Sequence, residues 1–184
     1  MAKFFQVPFA SFIIYSLVHL CFLRQQVEGF SLTTTTTISS ISQNEIFDFI
    51  ATPTNWPSIV ASSHSVKKPL SQNNEIDQPL EVGDEVEEVF GLPPILPLSV
   101  KWKCVVKDKT SGEIKFYSKE GVPNFAKNCF MNFSFSSAGP EKTTVQLVME
   151  YETLNPLVTA ATPFLNADNN LALKVLLPLA LKKR

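Results

Sequence analysis

Cys129-Phe130-Met131-Asn132-Phe133-Ser134-Phe135, followed by the turn Ala138-Gly139-Pro140 and then Val145-Gln146-Leu147-Val148-Met149-Glu150-Tyr151, decides the architecture of this chain. Side chains alternate across a strand, so Cys129, Met131, Phe133 and Phe135 share one face, opposed by Asn128, Asn132, Ser134 and Ser136. Val145, Leu147, Met149 and Tyr151 repeat the pattern against Thr144, Gln146, Glu150 and Glu152. Two such runs joined by a turn signal form an antiparallel hairpin with one large apolar face and one wet face.

The same rhythm extends upstream. Val100, Trp102, Cys104 and Val106 oppose Lys101, Lys103 and Lys107; after Thr110-Ser111-Gly112, Ile114 and Phe116 oppose Glu113, Lys115 and Lys119. The meander expected is 86–90, 100–106, 114–118, 125–135 and 145–154. An apolar sheet face must be covered. The segment long enough to do it is 168–184, apolar at Leu171, Ala172, Val175, Leu176, Leu179 and Ala180 and closed by Lys182, Lys183 and Arg184, which suit a helix C-terminus. Pro178 inside it costs about 3 kcal/mol or a kink, so a bend is expected near Lys174. The apolar run 171–181 is too short for a bilayer span.

Toward the N-terminus, Thr33 to Thr37 are five consecutive threonines, whose restricted χ1 favours an extended chain, and the first strand is placed at 31–40. Ser42 with Glu45 three residues on is a capping box, and Ile46, Phe47, Phe49 and Ile50 cluster on one helical face, so a helix starts near Gln43. Pro53 and Pro57 end it and leave room for one brief further turn before a second strand at 62–67. Residues 68–79 are polar and read as an exposed loop.

Lys3, the apolar stretch from Phe12 to Leu23 and the small-residue positions Val27 and Gly29 have the layout of a secretory signal cleaved between Gly29 and Phe30. The expected organisation is therefore a signal peptide over 1–29 and one domain over 30–184. Phe30 directly after the cut also resembles the bipartite leaders of complex plastids, and 30–42 is hydroxyl-rich and free of acidic residues. It lacks Arg and Lys as well, so the secretory route stands first and a complex plastid second.

Sixteen basic against 17 acidic residues give a net charge of −1, with no footprint for a phosphate backbone, so nucleic acid is excluded as a partner. Fifteen phenylalanines require a folded interior. Cys104 and Cys129 alone remain in the mature chain, in strands expected not to be neighbours, and are read as buried free thiols. No nucleophile elbow, phosphate loop or metal-ligand spacing occurs, and no cofactor is expected. Asn132-Phe133-Ser134 matches the N-glycosylation acceptor.

The order strand, helix with Ser42-Gln43-Asn44-Glu45-Ile46-Phe47-Asp48-Phe49-Ile50 and Asn55-Trp56-Pro57, strand meander and terminal helix resembles the START-related superfamily of polyketide cyclases and lipid carriers. The resemblance covers the whole mature chain. It implies the α+β helix-grip fold: a curved antiparallel sheet of six to seven strands wrapped round a long C-terminal helix, one or two short helices after strand one, and a hydrophobic cavity between sheet and helix. Gly91-Leu92-Pro93-Pro94 is similar to the gate loop of the plant abscisic acid receptors, and Lys127-Asn128 to a pair in the same proteins. The latch His-Arg is replaced by Asn124-Phe125, and the ligand-pairing lysine falls at Ser62 or Ser63, so hormone sensing is not inferred.

Alternation would line the cavity with Trp102, Cys104, Phe116, Met131, Phe133, Met149 and Tyr151. Acid–base candidates are few. Glu88 shares the face of Val86 and Phe90, where a carboxylate must be paired or protonated; a bulge would turn it out, and the outward placement is the expectation. His64, a lone histidine on the second strand, is expected to be hydrogen-bonded or exposed. Tyr151 is expected to be a core aromatic with its hydroxyl satisfied. Binding requires only volume and apolar walls, which the sequence supplies, whereas catalysis requires a convergent polar pair, which it does not. The chain is therefore read as a carrier of a lipid, sterol, quinone or polyketide-like ligand, with a metal-free cyclase or dehydratase using Glu88 or His64 as the alternative. Its expected partners are that small hydrophobic ligand and, transiently, a membrane surface.

Overall fold

The computed structural model describes residues 28–67, 77–92 and 96–183. The signal-like segment and most of the polar loop therefore lie outside the described residues. Seven strands form one antiparallel sheet: β1 (Gly29–Ser39), β2 (Ser63–Lys67), β3 (Glu85–Leu92), β4 (Leu96–Asp108), β5 (Glu113–Ser118), β6 (Ala126–Gly139) and β7 (Lys142–Thr153). Their spatial order is β1-β7-β6-β5-β4-β3-β2. Every sequential pair from β2 to β7 is a hairpin neighbour, and β1 closes against β7 rather than β2. Two short helices make that crossing possible: α1 (Gln43–Ala51) and, after a 3-10 turn at Pro53–Asn55, α2 (Trp56–Ile59).

Local chemistry fixes α1. Ser42 Oγ accepts from Glu45 N at 3.2 Å while Glu45 Oε2 accepts from Ser42 N at 3.0 Å, so both halves of the capping box form. Ile46, Phe47, Phe49 and Ile50 are buried as the helical spacing requires. β1 begins at Gly29, next to the expected cut, and Glu28 O accepts from Thr153 N at 2.9 Å.

The C-terminal helix is longer than its apolar spacing indicates. It runs 26 residues, as α3 (Pro156–Leu171), a π-helical segment (Ala172–Leu176) and α4 (Leu177–Leu181), rather than starting at Asp168. Asn155 caps it, its side chain accepting from Leu157 N at 2.9 Å, with Pro156 at the first helical position. The distortion expected near Lys174 takes the form of the π turn: Pro178 has no N–H for the Lys174 carbonyl, and the wider turn absorbs the mismatch. The buried face also differs from the expected one. Val158, Asn169, Ala172, Leu173, Leu177 and Leu181 are buried, whereas Leu171, Val175 and Leu179 face outward with Leu157 and Phe164.

On the sheet, the concave side carries the apolar positions of β5, β6 and β7 as alternation requires. In β4 the alternation slips after Cys104, where a bulge shifts Val106 opposite Lys115. Tyr117 and Phe130 stack on the convex side, with ring centroids 4.5 Å apart, and Asn132 lies there in mid-β6, half-buried. No helix among the described residues is long and apolar enough to cross a membrane.

Candidate functional site

Cross-strand register assembles the apolar face in rows. Leu32 of β1, Met149 of β7, Met131 of β6, Phe116 of β5 and Cys104 of β4 are successive partners across five strands. Phe133 lies one row to one side, paired with Leu147 and Ile114, and Trp102 pairs with Val86 on the other. All seven expected lining residues thus stand on the concave surface. Trp102, Cys104, Phe116, Met131, Phe133 and Tyr151 are buried, while Met149 is only half-buried.

The two ends of this surface differ. At one end α1 and α2 fill it: the Phe47 ring lies 5.3 Å from Phe135, and Trp56 meets Phe116 edge-on at 5.2 Å. Trp56 is fixed there by donating its Nε1–H to Ile50 O at 2.8 Å. At the other end, beneath α3, polar groups collect. Tyr151 stacks on Phe30 at 5.7 Å and places its hydroxyl 3.2 Å from Thr162 Oγ1. The buried Asn169 directs its amide Nδ2 at Met149 Sδ, 4.0 Å away.

Glu88 belongs to this polar end, and the outward placement expected for it is overturned. The bulge occurs, but on the partner strand, between Ser63 and Ser65 of β2. It leaves β3 in simple alternation and Glu88 inside at 8% exposure. Trp102 donates its Nε1–H to Glu88 Oε2 at 2.9 Å. Ser62 Oγ, in the turn just before β2, donates to Asp168 Oδ2 of α3 at 2.6 Å, tying the start of that strand to the helix. Ser63, 5% exposed, turns its hydroxyl toward Glu88 without forming a well-directed hydrogen bond. Burial raises the proton affinity of the Glu88 carboxyl above the ordinary carboxylate value; the nearby Ser63 and Trp102 donors counter this, and the Asp168 charge adds to it. The result is an acid poised to hold its proton at higher pH than a solvated glutamate does.

The same bulge sends His64 out. It is exposed, with Nε2 3.0 Å from Gly91 O, and it is not brought together with Glu88. Gly91, next to the last residue of β3, has φ +120°, a conformation suited to glycine, and donates its N–H to Ser62 O at 2.9 Å. Leu92 pairs in register with Leu96, and Pro93 and Pro94 of the gate-like loop lie outside the described residues. Lys127 pairs with Glu152 at 3.5 Å, and Asn128 accepts from the Tyr117 hydroxyl at 3.1 Å.

Cys104 and Cys129 are free and buried on strands separated by β5, and burial pushes each thiol up to about 11. No group of three His, Cys, Asp or Glu side chains able to hold a metal occurs among the described residues. Asp168 is the site residue that the sequence reading missed. Its signal is the Asn155-Pro156 helix start, which puts Val158, Thr162, Leu165, Asn169 and Ala172 on one stripe and Asp168 at its margin.

No protein-family model matches the chain, and no curated protein matches it in sequence. Solved structures do match in fold. The ginseng major latex-like protein 151 from Panax ginseng is 20% identical with a TM-score of 0.57, covering 78% of this chain and 94% of that one. The Zhui aromatase/cyclase from a Streptomyces species is 13% identical with a TM-score of 0.63, covering 85% and 96%. Norcoclaurine synthase from Thalictrum flavum, solved in complex with dopamine and hydroxybenzaldehyde, is 13% identical with a TM-score of 0.57, covering 100% and 99%. A seven-stranded curled sheet gripping a long C-terminal helix is the helix-grip fold, and the chain shares it with these proteins.

Proposed function

We propose that the chain binds a small hydrophobic ligand between its concave sheet face and the C-terminal helix, and carries it rather than transforms it. The observation that carries this reading is Met149. It sits at the centre of the cross-strand row, facing inward, yet is only partly buried, as are the inward-facing Leu32 and Phe90. A helix that covered the sheet by close packing would seal such positions. An apolar guest placed there gains about 25 cal/mol for each Å² it removes from water, and polar groups are needed only to orient it. Two neighbours of the same fold, an aromatase/cyclase and a synthase solved with dopamine and hydroxybenzaldehyde, support ligand binding within this fold.

The test is titration of the purified protein with an environment-sensitive apolar dye. Saturable one-to-one binding, abolished by Met149→Trp with the fold intact, supports the carrier. Absence of saturable binding refutes it.

Glu88 gives a specific reason to keep a second reading. A carboxyl that holds its proton in an apolar wall is a general acid, the group a cyclase or dehydratase requires. Glu88→Gln removes that proton and retains an acceptor for Trp102. Turnover that disappears in this variant while binding persists assigns the enzyme.

A cleaved leader would start the mature chain at Phe30 in the secretory route, which N-terminal sequencing of the native protein decides. The outward stripe of Leu157, Phe164, Leu171, Val175 and Leu179, beside Lys174, Lys182 and Lys183, would meet an anionic bilayer during loading, as vesicle co-sedimentation reads directly.

A further inference from the structure

We propose that Asn132 is the attachment point of one N-linked glycan, seated on the convex face of the sheet with its first sugar against the Phe130 ring. The inference is independent of the ligand site. It rests on the reading of 1–29 as a cleaved leader, which brings the chain to the compartment where such glycans are attached. Asn132-Phe133-Ser134 is the single Asn-X-Ser/Thr tripeptide in the sequence.

The structure adds three observations to that motif. Phe130, Asn132 and Ser134 follow one another at a spacing of two along β6, so their side chains point away from the buried Met131 and Phe133. A register one residue off would aim the acceptor amide into the core. Phe130 is 38% exposed and, among the described residues, is the one exposed large apolar side chain in a strand. One face of its ring rests on Tyr117, with centroids 4.5 Å and planes 25° apart, which leaves the opposite face and the edge uncovered. The amide of Asn132 is oriented as well. Its Oδ1 is buried without a hydrogen-bond partner, whereas Nδ2, the atom that carries the sugar, is neither sealed in this way nor hydrogen-bonded.

The transfer balances with a polyprenyl-diphosphate oligosaccharide as donor. Nδ2 attacks the anomeric carbon of the first sugar, and the new C–N bond forms as the bond from that carbon to the diphosphate oxygen breaks. The diphosphate leaves with the bonding pair, the amide nitrogen loses one proton to solvent, and no oxidation state changes. Transfer requires an extended, unpaired segment. β6 is synthesised before β7, its partner over most of its length, so the acceptor stays open until that hairpin closes. In the folded protein the first sugar then lies over the strand from Asn132 to Phe130, where its C–H groups cover the aromatic face and remove it from water.

The test expresses the full chain with its own leader in a eukaryotic secretory host. The secreted protein is expected to start at Phe30 and to carry one glycan, released by an amidase that leaves aspartate at the site, as peptide mass spectrometry reads. Ser134→Ala abolishes the modification and Ser134→Thr retains it. Enzymatic removal of the glycan lowers Tm by about 2–4 °C, the scale of one aromatic contact in a domain of this size. That difference disappears when Phe130→Thr removes the ring; if this variant does not fold, the wild-type shift alone decides the seat on Phe130. A secreted, processed chain with Asn132 unmodified overturns the inference and leaves the leader standing. An unprocessed chain retained in the cytosol removes both. A glycan whose removal leaves Tm unchanged keeps the site and overturns its seat on the ring.

Discussion

Replacing Glu88 separates two contributions that the folded chain combines at one side chain. The buried carboxyl binds its proton more tightly in the native state than in the unfolded chain, where its value is near 4.5. The native state therefore holds more protons than the unfolded state above that pH. By linkage, the contribution of Glu88 to stability is fully present below the unfolded value and is lost as pH rises through the raised folded value. Glu88→Gln keeps an acceptor for Trp102 and cannot ionise. It should unfold in urea with a flatter pH dependence than the wild type between pH 5 and 8, and be the more stable of the two at pH 8. Glu88→Ala behaves differently. It leaves the Trp102 Nε1–H, now bonded at 2.9 Å, without a partner in a buried site. The orphaned donor costs about 1–3 kcal/mol and the lost methylene about 0.8 kcal/mol, so the alanine variant should lose about 2–4 kcal/mol at pH 5. For a domain of this size that is a fall of roughly 4–16 °C in Tm. Tryptophan fluorescence follows the transition directly. A Glu88→Gln variant with the full wild-type pH slope, or an alanine variant as stable as wild type at pH 5, would refute the inward carboxyl and its indole partner.

Other elements make equally concrete predictions. Ser42→Ala removes the hydroxyl that accepts from Glu45 N and should cost about 1 kcal/mol in denaturant unfolding, with no change in ligand binding. Gly112→Ala would place a Cβ 2.4 Å from Phe135 O at φ +65°, so the hairpin must deform, and the variant is expected to express poorly or to melt well below wild type. With both thiols pushed up to about 11, an aromatic disulfide reagent at pH 8 should modify neither Cys104 nor Cys129 in the native protein within the time in which it modifies both in urea. Rapid native modification would contradict their burial.

How far the sequence speaks depends on whether a residue's environment is set locally. β6 and β7 were legible because their two faces differ sharply, methionine, phenylalanine and leucine against asparagine, serine and glutamine, so register has one solution. The capping box at Ser42 and Glu45 was legible for the same reason: both partners lie within four residues. Glu88 was not, because its direction depends on a bulge in β2, a strand about 20 residues away that shares no pattern with β3. The start of the C-terminal helix was hidden by its own composition. From Pro156 to Ala167 the segment buries only Val158 fully and displays Leu157 and Phe164, so its apolar periodicity is weak even though Asn155-Pro156 is a sound start signal. Its buried face was misjudged in part because the π turn at Ala172–Leu176 shifts the phase of the residues that follow it, so that Leu177 and Leu181 are buried and Leu179 faces outward. The polar end of the site unites β2, β3, β4 and α3, and long-range meetings of that kind leave no trace in local spacing.

Native mass spectrometry of the protein purified from its own source, sprayed under gentle conditions and then collisionally stripped, puts the account to its most direct trial. The expected result is a complex heavier than the polypeptide by one small molecule, which on release proves to be hydrophobic. A polypeptide of bare mass that also takes up no apolar ligand on incubation would contradict the central claim that the sheet and its covering helix hold a guest.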